Sequence, residues 1–269
     1  MGTIDISIVN LLQGLLLMAI PVYFLWKYYT GMVRSTIIAV ARMVLQMFLV
    51  GLYLEYLFTM DNPWLNAVWV IVMVFVATET SLTRTKLKRR IMMIPLIIGF
   101  IVSSLLIGFY FLGVVLELNN VFSTQYFIPV FGILMGNTLG VNVIGLNTFY
   151  YNLSREKNCY YYLLGNGATT DEATAPFVRQ AITRAFSPAI ANMAVMGLVA
   201  LPGTMIGQIL GGSTPDVAIK YQMMIIVITI SASMISLMTT INLSKRVVFD
   251  KMGRFSNPFK EKSRTASRR

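Results

Sequence analysis

The strongest constraint on this chain is a rhythm of long apolar runs broken by short polar segments. Crossing the hydrocarbon core of a bilayer takes about 20 consecutive apolar residues. Seven such runs occur, at Ile6–Trp26, Ile37–Phe58, Trp64–Thr78, Ile91–Leu116, Phe127–Phe149, Ala189–Leu210 and Ile219–Leu243. Within lipid, a helix satisfies its own backbone polar groups, so the runs predict an all-α polytopic membrane protein with about seven transmembrane helices. The third run is short, and the fourth is long enough to tilt. The sixth contains Pro202-Gly203, so a kinked or broken helix is expected there. Residues 1–243 form one transmembrane domain on this reading, and 244–269 form a basic, Ser-containing tail that is expected to be mobile or to lie against anionic headgroups.

Only 12% of the residues are charged and 56% are hydrophobic, whereas a soluble domain carries roughly 25% charged residues. Too few charges remain to cover a soluble surface of this size. The net charge of +11 is not a nucleic-acid signature, because the cations cluster between the apolar runs. Apart from Arg42 and Lys220, all 22 Lys and Arg residues fall in alternate loops or in the tail. The opposite loops carry Asp61, Glu117 and Asp216. Because basic loops stay cytoplasmic, the N-terminus is expected outside and the C-terminus inside a cell membrane, inner or plasma, that the chain crosses several times. The N-terminus has no basic stretch ahead of its apolar run and no clear cleavage site, so the run reads as a retained span.

Several chemistries are excluded. The chain has no histidine and one cysteine, Cys159, which removes Ser-His hydrolysis, HExxH zinc sites and an internal disulfide framework. No GxxxxGK[ST] loop is present to cradle nucleotide phosphates. No catalytic residue is assigned and the metal ligands are unknown. The 18 methionines sit mostly in apolar runs, where Met is a flexible filler more often than a soft-metal ligand.

The segment Tyr150–Ser187 is the most informative. Thr169 with Glu172 three residues later forms a capping box, with Asp171 and Glu172 in the first turn, where the helix dipole favours acids. Phe177, Ala181 and Ala185 then recur at i, i+4 and i+8 as an apolar stripe. Pro176 makes a helix restarting at that point plausible. The pattern fits a helix lying on the membrane surface and equally a docking helix for a cytoplasmic partner.

Two glycine tracks stand out. Gly132, Gly136 and Gly140 lie in run five, and Gly203, Gly207 and Gly211 in run six. Spacing by four places small residues on one helix face, where a second backbone can approach within the chain or from another copy. Arg42 and Gln46 lie one turn apart in run two. Intramembrane charge points to function by default, against snorkelling to the headgroups or a pair with Glu79. Glu55 sits near the outer end of the same run, about 20 Å from Arg42 along a helix.

Longer stretches carry a resemblance. The block from Ala200-Leu201-Pro202-Gly203 through Gly207-Gln208 to Gly211-Gly212, followed by Asp216 and Lys220-Tyr221-Gln222, resembles the membrane subunit of FetB-type iron-export ABC transporters and the similar plant subunits linked to aluminium tolerance. Ala41-Arg42 with Gln46, then Pro129, Gly132 and Gly136-Asn137, match in order. So do Leu164-Gly165 through Gly167-Ala168-Thr169, Ala173 and Arg179. Departures are the inserted Asn166 and Pro176.

The resemblance implies a permease, itself no enzyme, that pairs with a separate ABC ATPase subunit holding ATP and magnesium, and that works as a homodimer. It makes Leu164, Gly165, Gly167, Ala168, Thr169, Glu172, Ala173 and Arg179 the expected ATPase-coupling surface. Arg42, Gln46, Glu55, Gly132, Gly136, Asn137, Pro202, Gly203, Gly207, Gln208 and Gly211 become expected pathway or packing residues. Iron or a related metal is the implied cargo, with a non-metal solute as the alternative. The candidate carboxylates Glu55, Glu79, Glu117 and Asp216 form no evident cluster. From other classes, a seven-helix receptor and a lipid-modifying enzyme share the topology. The enzyme would need an intramembrane nucleophile with a base, or a metal cluster, and neither is evident.

Overall fold

The computed structural model describes residues 7–250 and 253–259. The first six residues, including the start of run one, and the tail beyond 259 lie outside the described residues. The described chain is helical. α1 (Ile8–Leu15) passes through a short 3-10 turn into α2 (Ala19–Lys27), and α3 (Val33–Met60), α4 (Pro63–Thr85), α5 (Arg89–Tyr110) and α6 (Thr124–Arg155) follow. Then come the short α7 (Lys157–Gly165), α8 (Thr170–Val195), the short α9 (Gly203–Leu210) and α10 (Pro215–Val248).

The helix ends follow local chemistry. The Asn62 side chain accepts from the Trp64 backbone N–H ahead of Pro63, which costs no hydrogen bond in the first turn. Pro215 opens α10 in the same way. α3 ends where Asp61 turns left-handed, and α4 where Lys86 does. α5 continues into a π-helical turn at Phe111–Val115, so the fourth run stays helical almost to Leu116.

Among the described residues, six helical stretches are long and apolar enough to cross a membrane: Ile8–Lys27, Val33–Met60, Pro63–Thr85, Arg89–Val115, Thr124–Arg155 and Pro215–Val248. The third, short by sequence, is a 23-residue helix that continues through polar residues to Thr85. The expected seventh, Ala189–Leu210, is not one helix. α8 stops at Val195, Gly197 takes a left-handed φ of 84°, and the chain turns before α9 resumes after Pro202. Pro202 lacks an N–H and disfavours helix at the residue before it. The break foreseen at Pro202-Gly203 is therefore present, and six unbroken spans remain among the described residues.

The core sits among α4, α5, α6, α8 and α10. Between α6 and α10 runs a ladder of polar pairs: Thr138 with Ser233 at 3.4 Å, Asn142 donating to Ser236 at 2.8 Å and Tyr150 donating to Ser244 at 2.6 Å. Small residues let these helices close. Gly145 packs under Leu237, and Gly99 of α5 lies against the Ser236 carbonyl. With lipid as apolar as leucine, small-residue packing and interhelical hydrogen bonds hold such a bundle together.

The hairpin of α1, α2 and α3 stands apart. In these three helices only Leu57 is buried. α3 meets the bundle at one end, where Tyr53 packs on Trp69 with ring centroids 4.2 Å apart. There Asp61 accepts from the Thr124 backbone N–H and hydroxyl at 2.9 and 2.7 Å.

Candidate functional site

α6 forms the floor of a groove with α8 on one side and α9–α10 on the other. Its middle section, about 340 Å³, is lined by Asn137, Asn192, Thr204, Gln222, Thr229 and Ser233, with Met193 and Met196 beside them. Gln222 is buried, and its amide oxygen accepts from the Thr204 hydroxyl, tying α10 to the short α9. Toward the Asp61 end, a section of about 480 Å³ is lined by Gln125, Tyr126, Gln208 and Tyr221. Toward the opposite, basic end, a further cavity of about 930 Å³, without an α6 residue in its lining, opens between Asp171 and Arg179 of α8 and Lys245 and Arg246 of α10. No carboxylate lines the two inner sections. Their oxygens are neutral amides and hydroxyls, joined by two thioethers.

The expected pathway residues divide. Asn137, Gln208 and Pro202 line the groove or its flank. Gly132, Gly136, Gly140, Gly203 and Gly207 have open space where a Cβ would stand, and Gly211 meets only carbonyls of its own helix. Among the described residues of one chain, then, no second helix closes on either glycine track. Arg42, Gln46 and Glu55 lie on the detached α3, exposed and away from the groove. Arg42 and Gln46 share a helix face with Tyr53 and Leu57, so they point toward the bundle across the gap that α3 leaves. Glu79 pairs with Arg89, not with Arg42. Asp216 holds Lys220 at 2.8 Å. The four candidate carboxylates do not meet, and among the described residues no three His, Cys, Asp or Glu side chains are grouped to hold a metal.

At the basic end, Tyr150–Ser187 is not a loop. It completes α6, forms α7 and supplies most of α8. The capping box is complete: the Thr169 hydroxyl accepts from the Glu172 N–H, and the Glu172 carboxylate accepts from the Thr169 N–H at 2.8 Å and from its hydroxyl at 2.8 Å. These bonds hold the Glu172 carboxyl below its usual range. The restart expected at Pro176 does not occur. Pro176 sits inside a continuous α8, where burial of the stripe Ala173, Phe177, Ala181 and Ala185 offsets one lost hydrogen bond. Leu164 and Gly165 end α7, and Gly167 (φ 92°) and Ala168 make the turn. Arg179 is exposed and faces the groove mouth.

Sequence reasoning missed what anchors this corner. The tail folds back over α7: Tyr160 donates to the Gly253 carbonyl at 2.8 Å, the Tyr161 hydroxyl accepts from the Phe255 N–H at 3.1 Å, and the Lys88 N–H donates to the Pro258 carbonyl at 2.7 Å. Lys245 meets Asp171 at 2.9 Å across the groove mouth. α10 runs five residues past Leu243 before this return. The three phenylalanines Phe249, Phe255 and Phe259, set in an otherwise polar and basic tail, were the available signal.

A bundle of long apolar helices, six of them able to cross a bilayer among the described residues, defines a multi-pass membrane protein. The chain belongs to the Uncharacterised protein family (UPF0014), whose model matches residues 8–249. It is 26% identical to the "Probable iron export permease protein FetB" of Escherichia coli over 250 residues, 93% of this chain and 95% of that one. It is 30% identical over 209 residues to the "UPF0014 membrane protein STAR2" of rice, covering 77% and 71% of the two chains. "Protein ALUMINUM SENSITIVE 3" of Arabidopsis thaliana is 28% identical over 207 residues, or 76% and 73%. No solved structure matches.

Proposed function

We propose that this chain is the membrane half of an ATP-driven exporter, working as a homodimer with a separate ATPase subunit, and that the groove between α8 and α10 is half of its pathway. The observation that carries this reading is the joining of α6 and α8, two groove helices, by the short α7 at the basic end. Basic loops favour a cytoplasmic location for that end, which puts α7 and the Leu164–Ala173 turn where an ATPase could grip them. Movement of α7 then tilts α6 and α8 together. The open glycine tracks suit close packing of a second copy against α6 and α9.

The relative named as an iron export permease favours a metal cargo. The neutral groove adds a restriction. Hard cations prefer oxygen ligands, and amides and hydroxyls that bring no negative charge would hold a bare metal ion weakly and release it readily. The same lining favours the second reading, in which a metal complex or an uncharged solute passes. Reconstitution with the cognate ATPase in liposomes, screened over iron, manganese, cobalt and small organic solutes, tests both. Stimulation of ATP hydrolysis by a metal ion supports the first reading, and stimulation only by complexes or organic solutes supports the second. Failure of the chain to co-purify with any ATPase overturns the transporter reading.

A further inference from the structure

We infer that the cleft between α2 and α3 is a binding site for an anionic phospholipid of the leaflet at the basic end. The inference is independent of the transport reading. Leu15, Met18 and Val22 on the first arm face Ile37, Ala41 and Phe48 on the second across about 690 Å³ of apolar space. Each set follows helical spacing, so two continuous apolar faces confront one another without meeting. Two helices that bury so little against each other leave a slot suited to slender acyl chains.

The mouth of the slot specifies the headgroup. Trp26 and Lys27 end α2, and Arg34 lies one turn before Ile37 on the cleft side of α3. Lys27 rests over the Tyr23 ring, 5.9 Å from its centroid. Aromatic and cationic side chains at a helix end are the mark of the headgroup region. Neither cation has a salt-bridge partner among the described residues. The acids of the described hairpin, Glu55 and Asp61, stand at its far end, about 30 Å and about 40 Å from Arg34 along α3.

Charge also decides between lipid and protein as the occupant. A second copy in the same orientation would bring its own basic end to Lys27 and Arg34, because the α4–α5 turn carries Arg84, Lys86, Lys88, Arg89 and Arg90 and the α6–α7 junction carries Arg155 and Lys157. That contact sets like charges together. An anionic headgroup neutralises them, at about a fivefold gain in binding per cation.

The chain has three tryptophans, so W64F and W69F leave Trp26 as the sole reporter. The full chain is reconstituted in phosphatidylcholine vesicles containing small fractions of brominated phosphatidylglycerol or brominated phosphatidylcholine, and Trp26 quenching is titrated. Phosphatidylglycerol is expected to quench at about 25-fold lower mole fraction, and K27Q with R34Q to abolish the preference. A41F, which fills the slot and leaves both cations in place, is expected to weaken quenching by both lipids. Equal quenching by the two lipids in the unaltered headgroup site overturns the proposal, as does an unchanged preference in K27Q/R34Q. Rapid disulfide-linked dimers through A41C in a C159S background also overturn it, because a second copy would then fill the cleft.

Discussion

The Tyr160 hydroxyl lies 2.8 Å from the Gly253 carbonyl and ties the short helix at the basic end to the returning tail. Tyr160 is fully buried, and burial pushes its phenol above the usual range, so it stays a neutral donor. Tyr160→Phe keeps the ring and strands a carbonyl. The expected cost is about 1–3 kcal/mol of stability, read as a lower unfolding temperature in detergent. If α7 transmits ATPase motion, the same variant loses solute stimulation of ATP hydrolysis while still binding the ATPase.

Asp171 and Lys245 bridge the groove mouth at 2.9 Å, and the lysine side chain is only 12% exposed while the aspartate is 87% exposed. The partly buried lysine has more to lose from an unpaired state than the solvated acid. Asp171→Lys is therefore expected to open this end by setting two cations together. The double variant D171K/K245D restores the pair with its order reversed. Electron-paramagnetic distances between spin labels on α8 and α10 report both outcomes: a wider, broader distribution in the single variant and recovery in the double.

Stability at acid pH follows from the cap of α8. The Thr169 backbone N–H and hydroxyl both favour the charged Glu172 carboxylate, which lowers its titration below the ordinary 4.5. A lowered folded value stabilises the fold above the ordinary value, and the contribution disappears as pH falls through the lowered one. Glu172→Gln removes the titration. Thermal unfolding followed downward from about pH 6 is expected to show a shallower loss of stability for the variant, with the two curves converging at the acid end. Asp61 follows the same sign, since Thr124 lowers it at the opposite end of the bundle.

Much of this architecture is legible along the chain because lipid leaves few options for backbone hydrogen bonds. The apolar runs locate the six long helices, and Pro202-Gly203 marks the break in the remaining one. The capping box at Thr169 and the stripe through Phe177, Ala181 and Ala185 place α8 correctly. What fails is local reasoning about long-range partners. Pro176 reads as a helix start, yet packing of α8 on α6 overrides one missing donor. Glu79 is claimed by Arg89, ten residues on, because the α4–α5 turn brings the two together. The ladder of Ser233, Ser236 and Ser244 against Thr138, Asn142 and Tyr150 is visible in α10 as small polar residues three to eight apart. Its meaning depends on knowing which helix faces it. The carboxylates share one composition class and no common place, so counting acids does not reveal a site.

The glycines give the sharpest contrast between packing inside a chain and packing between chains. A Cβ on Gly99 would meet the Thr240 hydroxyl and lie 2.9 Å from the Ser236 carbonyl. One on Gly145 would lie 2.6 Å from Leu237. Backbone cannot yield as a side-chain tip can, so Gly99→Ala is expected to cost about 1–3 kcal/mol, and Gly145→Ala less, because Leu237 can change rotamer. At Gly132, Gly136 and Gly140 nothing lies within 4 Å of where a methyl group would stand. Alanine there leaves the protomer fold intact and adds helix propensity. In the homodimer reading, that same face meets a second backbone, and a bulkier Gly136→Leu holds the copies apart. Thermal unfolding of the protomer should therefore be unchanged in Gly136→Leu, while the dimer fraction measured by light scattering falls. A Gly136→Leu protein that remains fully dimeric removes α6 from the interface, and one that unfolds early assigns its face to packing within the chain.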